Sequence, residues 1–254
     1  METPRQFMRR QEEQAAAVDF SPLDEAEASL KAQKLMGDVR LGADLLWRDL
    51  RVAAFLQPTP ALFLDRDGVI IEEKEYIRRP EDVELLPGSV SLIRAARDLA
   101  MAVVVVTNQA GIGRGYSGWP EHIQVENRVA QALLEQGERV DAIFACPFHE
   151  QGLAPYDVAS HPWRKPRPGM LLEAARLLNL DLRKSILVGD KASDQEAARA
   201  AELAFGVHVL TGHGRTEQGR SRVAASESFP VYIVNRADEA VPLLRRWAKA
   251  TRIA

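Results

Sequence analysis

Two aspartates one residue apart, in Asp65-Arg66-Asp67-Gly68, open the chemistry of this chain. They follow a short apolar run, Ala61-Leu62-Phe63-Leu64, with the character of a buried strand. In extended backbone, alternate side chains share a face, so the two carboxylates can converge. Close like charges are costly unless something compensates them, and magnesium, which favours oxygen ligands, would do so. A bare Asp-x-Asp-Gly is also compatible with a solvated acidic turn. Three further segments shift that balance. Thr107-Asn108-Gln109 follows the run Val103–Val106, Arg164-Lys165-Pro166 lies further on, and Gly189-Asp190-Lys191-Ala192-Ser193-Asp194 follows Ile186–Val188. Together they supply carboxylates for a cation, a hydroxyl and amides for oxygen atoms, and lysines for negative charge. This is the equipment of phosphoryl transfer.

The elements that must position these groups are legible in the hydrophobic pattern. Candidate strands are Ala61–Leu64, Ala102–Val106, Ala142–Ala145, Ser185–Val188, Val207–Leu210 and Val231–Val234. Helical patterns lie near Ser89–Leu99, His122–Glu135, Gly169–Leu178 and Asp194–Leu203. Continuous apolar strands that alternate with helices predict an α/β fold with a doubly wound, mostly parallel sheet. Ligands bind such sheets at the carboxyl ends of the strands, which is where three of the four segments fall. No large cap domain is evident between Gly68 and Thr107 or between Gly115 and Lys165, so an open site screened by short loops such as Gly111–Trp119 is expected. Thr211–Glu227, rich in Gly, Arg and Ser, is expected to be a loop.

Residues 1–57 differ in texture and are expected to form a helical N-terminal extension to a domain spanning 58–254. Ser21-Pro22-Leu23-Asp24 fits a helix start. Leu30, Leu35, Val39, Ala43, Leu46 and Leu50 then recur at roughly helical spacing, and Pro58-Thr59-Pro60 has the composition of a linker. An arm packed on the main domain is the favoured reading; a dimer or partner surface is the other.

Composition narrows the field. The chain has 254 residues, 46% of them hydrophobic and 27% charged, and a net charge of -3 from 33 basic and 36 acidic residues. It has no global basic excess of the kind nucleic-acid binders often carry. No apolar run approaches the ~20 residues of a membrane helix. The single Cys146 excludes an intrachain disulfide, and the acid-containing N-terminus resembles neither a secretory signal nor an organellar presequence. A cytoplasmic enzyme with a small-molecule partner, and neither nucleic acid nor membrane, is expected.

From Pro60 to Val234 the four segments resemble, in order, the four motifs of the haloacid dehalogenase superfamily of aspartate-nucleophile phosphatases. Val106-Thr107-Asn108-Gln109-Ala110-Gly111-Ile112-Gly113-Arg114-Gly115 and Arg164-Lys165-Pro166-Arg167-Pro168-Gly169-Met170 are similar to the sugar-phosphate branch acting on D-glycero-D-manno-heptose 1,7-bisphosphate, with histidinol-phosphate phosphatases as near relatives. The resemblance implies a magnesium-dependent phosphomonoesterase. Asp65 is its nucleophile and Asp67 its acid and base, with Thr107 and Lys165 on the phosphoryl oxygens. Asp65, the Asp67 carbonyl and Asp190 hold the metal, and Lys191 and Asp194 support the site. Glu73, Tyr76, Asn108, Gln109 and Arg164 are implied to line the substrate pocket.

Two departures from the family stand out. The heptose phosphatases commonly carry a zinc loop, but here Phe148 replaces one expected histidine, and His161 and Trp163 stand where two cysteines are expected. Cys146, His149 and His161 are an incomplete set for a closed four-ligand site, so structural zinc is not expected and apolar packing of Pro147, Phe148 and Trp163 takes its place. Val69-Ile70-Ile71, where polar residues are common, is expected to alter the pocket floor. A polynucleotide phosphatase is disfavoured by the acidic balance and the lack of aromatic-basic clusters. A catalytically idle binding module remains the reading of another class, opposed by the intact Asp65, Asp67 and Asp190.

Overall fold

The computed structural model describes residues 40–251. In chain order its elements are β1 (Trp47–Leu50), β2 (Ala61–Leu64), α1 (Ser89–Asp98), β3 (Ala102–Asn108), the single turn α2 (Ala110–Gly113), α3 (Trp119–Glu135), β4 (Ala142–Cys146), α4 (Gly169–Leu178), β5 (Ile186–Gly189), α5 (Ala192–Ala200), β6 (Phe205–Val209), α6 (Gly214–Ala224), β7 (Val231–Val234) and α7 (Val241–Thr251). The seven strands form one sheet in the order β1-β4-β3-β2-β5-β6-β7, parallel except for β1, which runs antiparallel to β4.

Alternation along the strands divides the core between the two faces of the sheet. Leu62, Leu64, Val103, Val105, Ile143 and Val188 pack with Leu92 of α1, Val125 and Leu133 of α3 and Leu244 of α7. Phe63, Val104, Val106, Phe144 and Leu187 pack with Met170 and Ala174 of α4 and Ala197 of α5 on the other side. Strands covered on both faces must be apolar throughout, which is why these runs are visible in the sequence. β2 lies between β3 and β5, so the chain leaves it in opposite directions and opens a crevice at its carboxyl end. Asp65 is the next residue.

Four expectations need correction. The helical extension expected over residues 1–57 lies outside the described residues up to 39, and from there on no helix is formed: Trp47–Leu50 is a strand that covers the edge of β4, pairing Trp47 with Ala145 and Leu50 with Ala142. The spacing of Leu46 and Leu50 misled, because a strand also tolerates apolar residues four apart; Leu46 is buried and Leu50 exposed. Pro58-Thr59-Pro60 is not a free linker, since the Thr59 N–H donates to the Asn179 carbonyl and its own carbonyl accepts from Asp181. Thr211–Glu227 is mostly helix α6, held against β6 by a Ser221–His208 hydrogen bond of 2.9 Å. Val69, Ile70 and Ile71 are fully buried in the core rather than on the pocket floor. Among the described residues, no helix is long and apolar enough to cross a membrane.

Candidate active site

Asp65 closes onto the sheet through its own N–H, which donates to the Val188 carbonyl at 3.0 Å. The chain then turns sharply at Gly68, whose φ of +79° suits glycine. A Cβ there would collide with the Asp190 carboxylate, so the close approach of the two loops also needs glycine. Thr211 ties the turn down by donating to the Gly68 carbonyl at 2.5 Å.

Three acids and a lysine meet below this turn. Lys165 Nζ lies 3.2 Å from Asp65 Oδ1 and 2.5 Å from Asp194 Oδ1, and donates to the Val106 carbonyl at 2.8 Å. Oxygens of Asp65, Asp190 and Asp194 lie within 4.8 Å of one another, and among the described residues no other group of three His, Cys, Asp or Glu side chains is placed to share an ion. Asp190 Oδ2 accepts from the His213 N–H at 2.8 Å. Its Oδ1 is buried without a hydrogen-bond partner among the described residues. Such an orphaned carboxylate oxygen beside two further acids is the donor environment of a hard cation.

The charges settle unevenly. Burial opposes ionisation of Asp65, but Lys165 and Lys191 overcome it and hold its carboxyl below the usual range. Burial, reinforced by repulsion from Asp65 and Asp194, pushes Asp190 up to about 8 despite Lys191. Asp194 is also raised, chiefly by burial, against the pull of Lys165. Lys165 stays protonated: burial lowers its pKa, but Asp194 and Asp65 more than reverse the effect.

Asp67, two residues after Asp65, sits on the rim of a cleft of about 660 Å³. Arg66 forks onto both its oxygens, and Gln109 donates to Asp67 Oδ2 at 3.0 Å and to Thr107 Oγ1 at 2.9 Å. Thr107 therefore accepts from Gln109 and keeps its own proton to donate. Glu73, Tyr76, Asn108, Gln109 and Arg164 all line the cleft. Their present partners differ. Asn108 spends both ends of its amide on the Lys165 main chain, Arg164 donates to the Phe148 carbonyl at 3.1 Å, and Tyr76 accepts from Arg114 at 2.6 Å. Glu73 Oε2 lies 3.3 Å from Lys191 Nζ and 3.4 Å from His213 Nε2. His213 was missed, because no motif marks it; only its place just after β6, another strand end, pointed toward the crevice. Asp194 Oδ2 accepts from the Lys191 main-chain N–H at 3.0 Å, and its other oxygen pairs with Lys165.

The Cys146–Trp163 loop is held by rings. Phe148 stacks on His161 with centroids 4.0 Å apart, and Tyr156 packs edge-on against Phe148. His149 and His161 turn Nδ1 to the N–H groups of Gln151 and Trp163. Cys146 is buried at the end of β4, and burial pushes its thiol up to about 12.

With this geometry in view, similarity to known proteins is informative. Residues 162–240 match a HAD-hydrolase-like family model. Over 160 residues the chain is 48% identical to the D-glycero-beta-D-manno-heptose-1,7-bisphosphate 7-phosphatase of Mesorhizobium japonicum, spanning 63% of this chain and 73% of that protein. A solved HAD-like protein of Mesorhizobium loti superposes with a TM-score of 0.71 at 38% identity, covering 80% of this chain and 93% of that one. The D,D-heptose 1,7-bisphosphate phosphatase of B. bronchiseptica, complexed with magnesium and phosphate, superposes with a TM-score of 0.63 at 30% identity, covering 74% and 98%.

Proposed function

This chain belongs to the haloacid dehalogenase-like hydrolases, and from that membership we propose that it is a magnesium-dependent phosphatase of D-glycero-D-manno-heptose 1,7-bisphosphate. The observation that carries the chemistry is the buried cluster of Asp65, Asp190 and Asp194, the first and last paired with Lys165, with an orphaned oxygen on Asp190. The 48% identity to a heptose bisphosphate phosphatase supports the substrate.

The residues divide the work. Asp65, held ionised, attacks phosphorus; its Oδ–P bond forms as the bond from phosphorus to the sugar oxygen breaks. Asp67 gives its proton to that departing oxygen, then takes one from the water that attacks the aspartyl-phosphate, which frees Asp65 and inorganic phosphate. The Thr107 hydroxyl and the Lys165 ammonium hold phosphoryl oxygens, and Asp194 keeps Lys165 aimed at the site. Magnesium, held by Asp65, Asp190 and the Asp67 carbonyl, would neutralise charge on the phosphoryl group. The cleft beyond Asp67, lined by Glu73, Tyr76 and Arg164, receives the sugar.

Phosphate release from a panel of phosphorylated metabolites, with magnesium and after chelation, tests the reading. Heptose 1,7-bisphosphate is expected to turn over best and only with the metal. Preference for histidinol phosphate would overturn the substrate, and no turnover on any member would favour a binding module.

A further inference from the structure

Behind the Asp65–Asp67 turn runs a set of buried polar groups that the chemistry above does not use. Arg66, the residue between the two aspartates, is buried and divides its guanidinium between two carboxylates. Nε and Nη2 donate to Asp67 Oδ1 and Oδ2, each at 3.0 Å, while Nη1 donates to Glu126 Oε1 at 2.7 Å. Burial works against the charge on Arg66, but Asp67 and Glu126 hold its pKa above the ordinary arginine value. Glu126 is itself buried on α3, with Oε2 lacking a hydrogen-bond partner among the described residues. One turn earlier, His122 Nε2 lies 3.9 Å from Glu126 Oε1. That histidine is buried and held well below its ordinary pKa, first by desolvation and then by the charge of Arg66, so it stays neutral. Trp47 of β1 stacks on Trp119 with centroids 5.4 Å apart, and both meet the His122 ring edge-on.

A buried arginine shared by two carboxylates is an expensive way to fill space. Well-packed apolar side chains often do as well or better, so such a pair is weak evidence for stability. Its geometry points elsewhere. The guanidinium is planar, with donors in a fixed fork, so tethering Nη1 to α3 fixes the plane of the other two donors. Those donors meet both oxygens of Asp67, the rim residue assigned proton transfer.

We propose that Glu126 is a positioning residue which, by anchoring Arg66, orients the Asp67 carboxylate for proton transfer to the leaving oxygen and from the attacking water. The inference rests on the assignment of Asp67 as acid and base. Arg66 then links helix α3 to the reacting carboxylate, and Gln109 supplies a second brace from the β3 side. Proton transfer and attack geometry are steep functions of placement, so loosening this brace reduces turnover with the nucleophile and metal ligands intact.

A leaving-group comparison separates this role from a structural one. A sugar alkoxide must be protonated as it leaves, whereas p-nitrophenolate needs no proton. Glu126→Gln is expected to lower kcat/KM on heptose 1,7-bisphosphate about 10-fold or more beyond its effect on p-nitrophenyl phosphate, a fraction of the general-acid contribution. Arg66→Lys keeps the charge but loses the fork. It is expected to show the same bias, and it carries the test should Glu126→Gln fail to fold. Asp67→Asn is the reference and is expected to show a larger bias of the same sign. If Asp67→Asn is biased but the Glu126 and Arg66 variants lose equally on both substrates, or lose nothing, the positioning role is overturned and the Asp67 assignment stands. An unbiased Asp67→Asn overturns that assignment and the inference with it.

Discussion

Asn108 grips the main chain of Lys165 from both ends of its amide: Oδ1 accepts from the Lys165 N–H at 3.1 Å, and Nδ2 donates to the Lys165 carbonyl at 3.0 Å. The end of β3 thereby sets the position of the lysine that faces Asp65 and Asp194. Asn108→Ala removes the grip without touching a charged group. Its expected cost is ~10- to 100-fold in kcat, the scale of a misplaced catalytic group, with a smaller change in KM. Steady-state kinetics check this; a KM effect alone would return Asn108 to a plain substrate contact.

Asp190 makes metal binding depend on pH in a defined direction. Its carboxyl is pushed up to about 8, chiefly by burial, from an ordinary value of 3.8. Between those values the folded, metal-free protein binds a proton that the unfolded chain does not, so its stability falls as pH rises through that window. Magnesium takes the place of the proton and is expected to raise Tm more near the upper end of the window than near the lower. Thermal melts with and without magnesium across the window measure it, and a shift that does not change with pH would contradict the assignment of Asp190 as a ligand.

Strand β1 contributes core as well as an edge. Trp47 is fully buried against Trp119 and His122. Trp47→Ala is expected to destabilise the protein by about 3–5 kcal/mol, the usual cost of such a truncation. Urea denaturation reads this directly; a loss below ~1 kcal/mol would mean that β1 is dispensable to the domain.

The parts of the fold and site that were readable in the sequence share one physical cause. β2, β3 and β5 are covered on both faces, so burial writes them as apolar runs, and the residues at and just after their carboxyl ends fall at the crevice by topology. Asp65, Thr107 and Asp190 were placed on that basis. β1 was misread because four residues, Trp47-Arg48-Asp49-Leu50, owe their conformation to pairing with β4 rather than to any local pattern. α6 was misread because its polar, glycine-containing sequence is helical only through packing on α5, β6 and β7. The partners of Arg66 and Asn108 were invisible, because Glu126 and the Lys165 main chain are about 60 residues away and meet them only in the fold.

The nucleophile assignment is the centre of the account, and kinetics approach it first. Asp65→Asn is expected to lose more than ~10³ in rate, on the scale of nucleophile knockouts. Trapping tests it most directly. Borohydride added during turnover of heptose 1,7-bisphosphate reduces an acyl phosphate to an alcohol, and peptide mass spectrometry then locates the altered side chain. The account predicts homoserine at position 65, dependent on both substrate and magnesium. An unmodified Asp65 under full turnover, or reduction at another carboxylate, would contradict it.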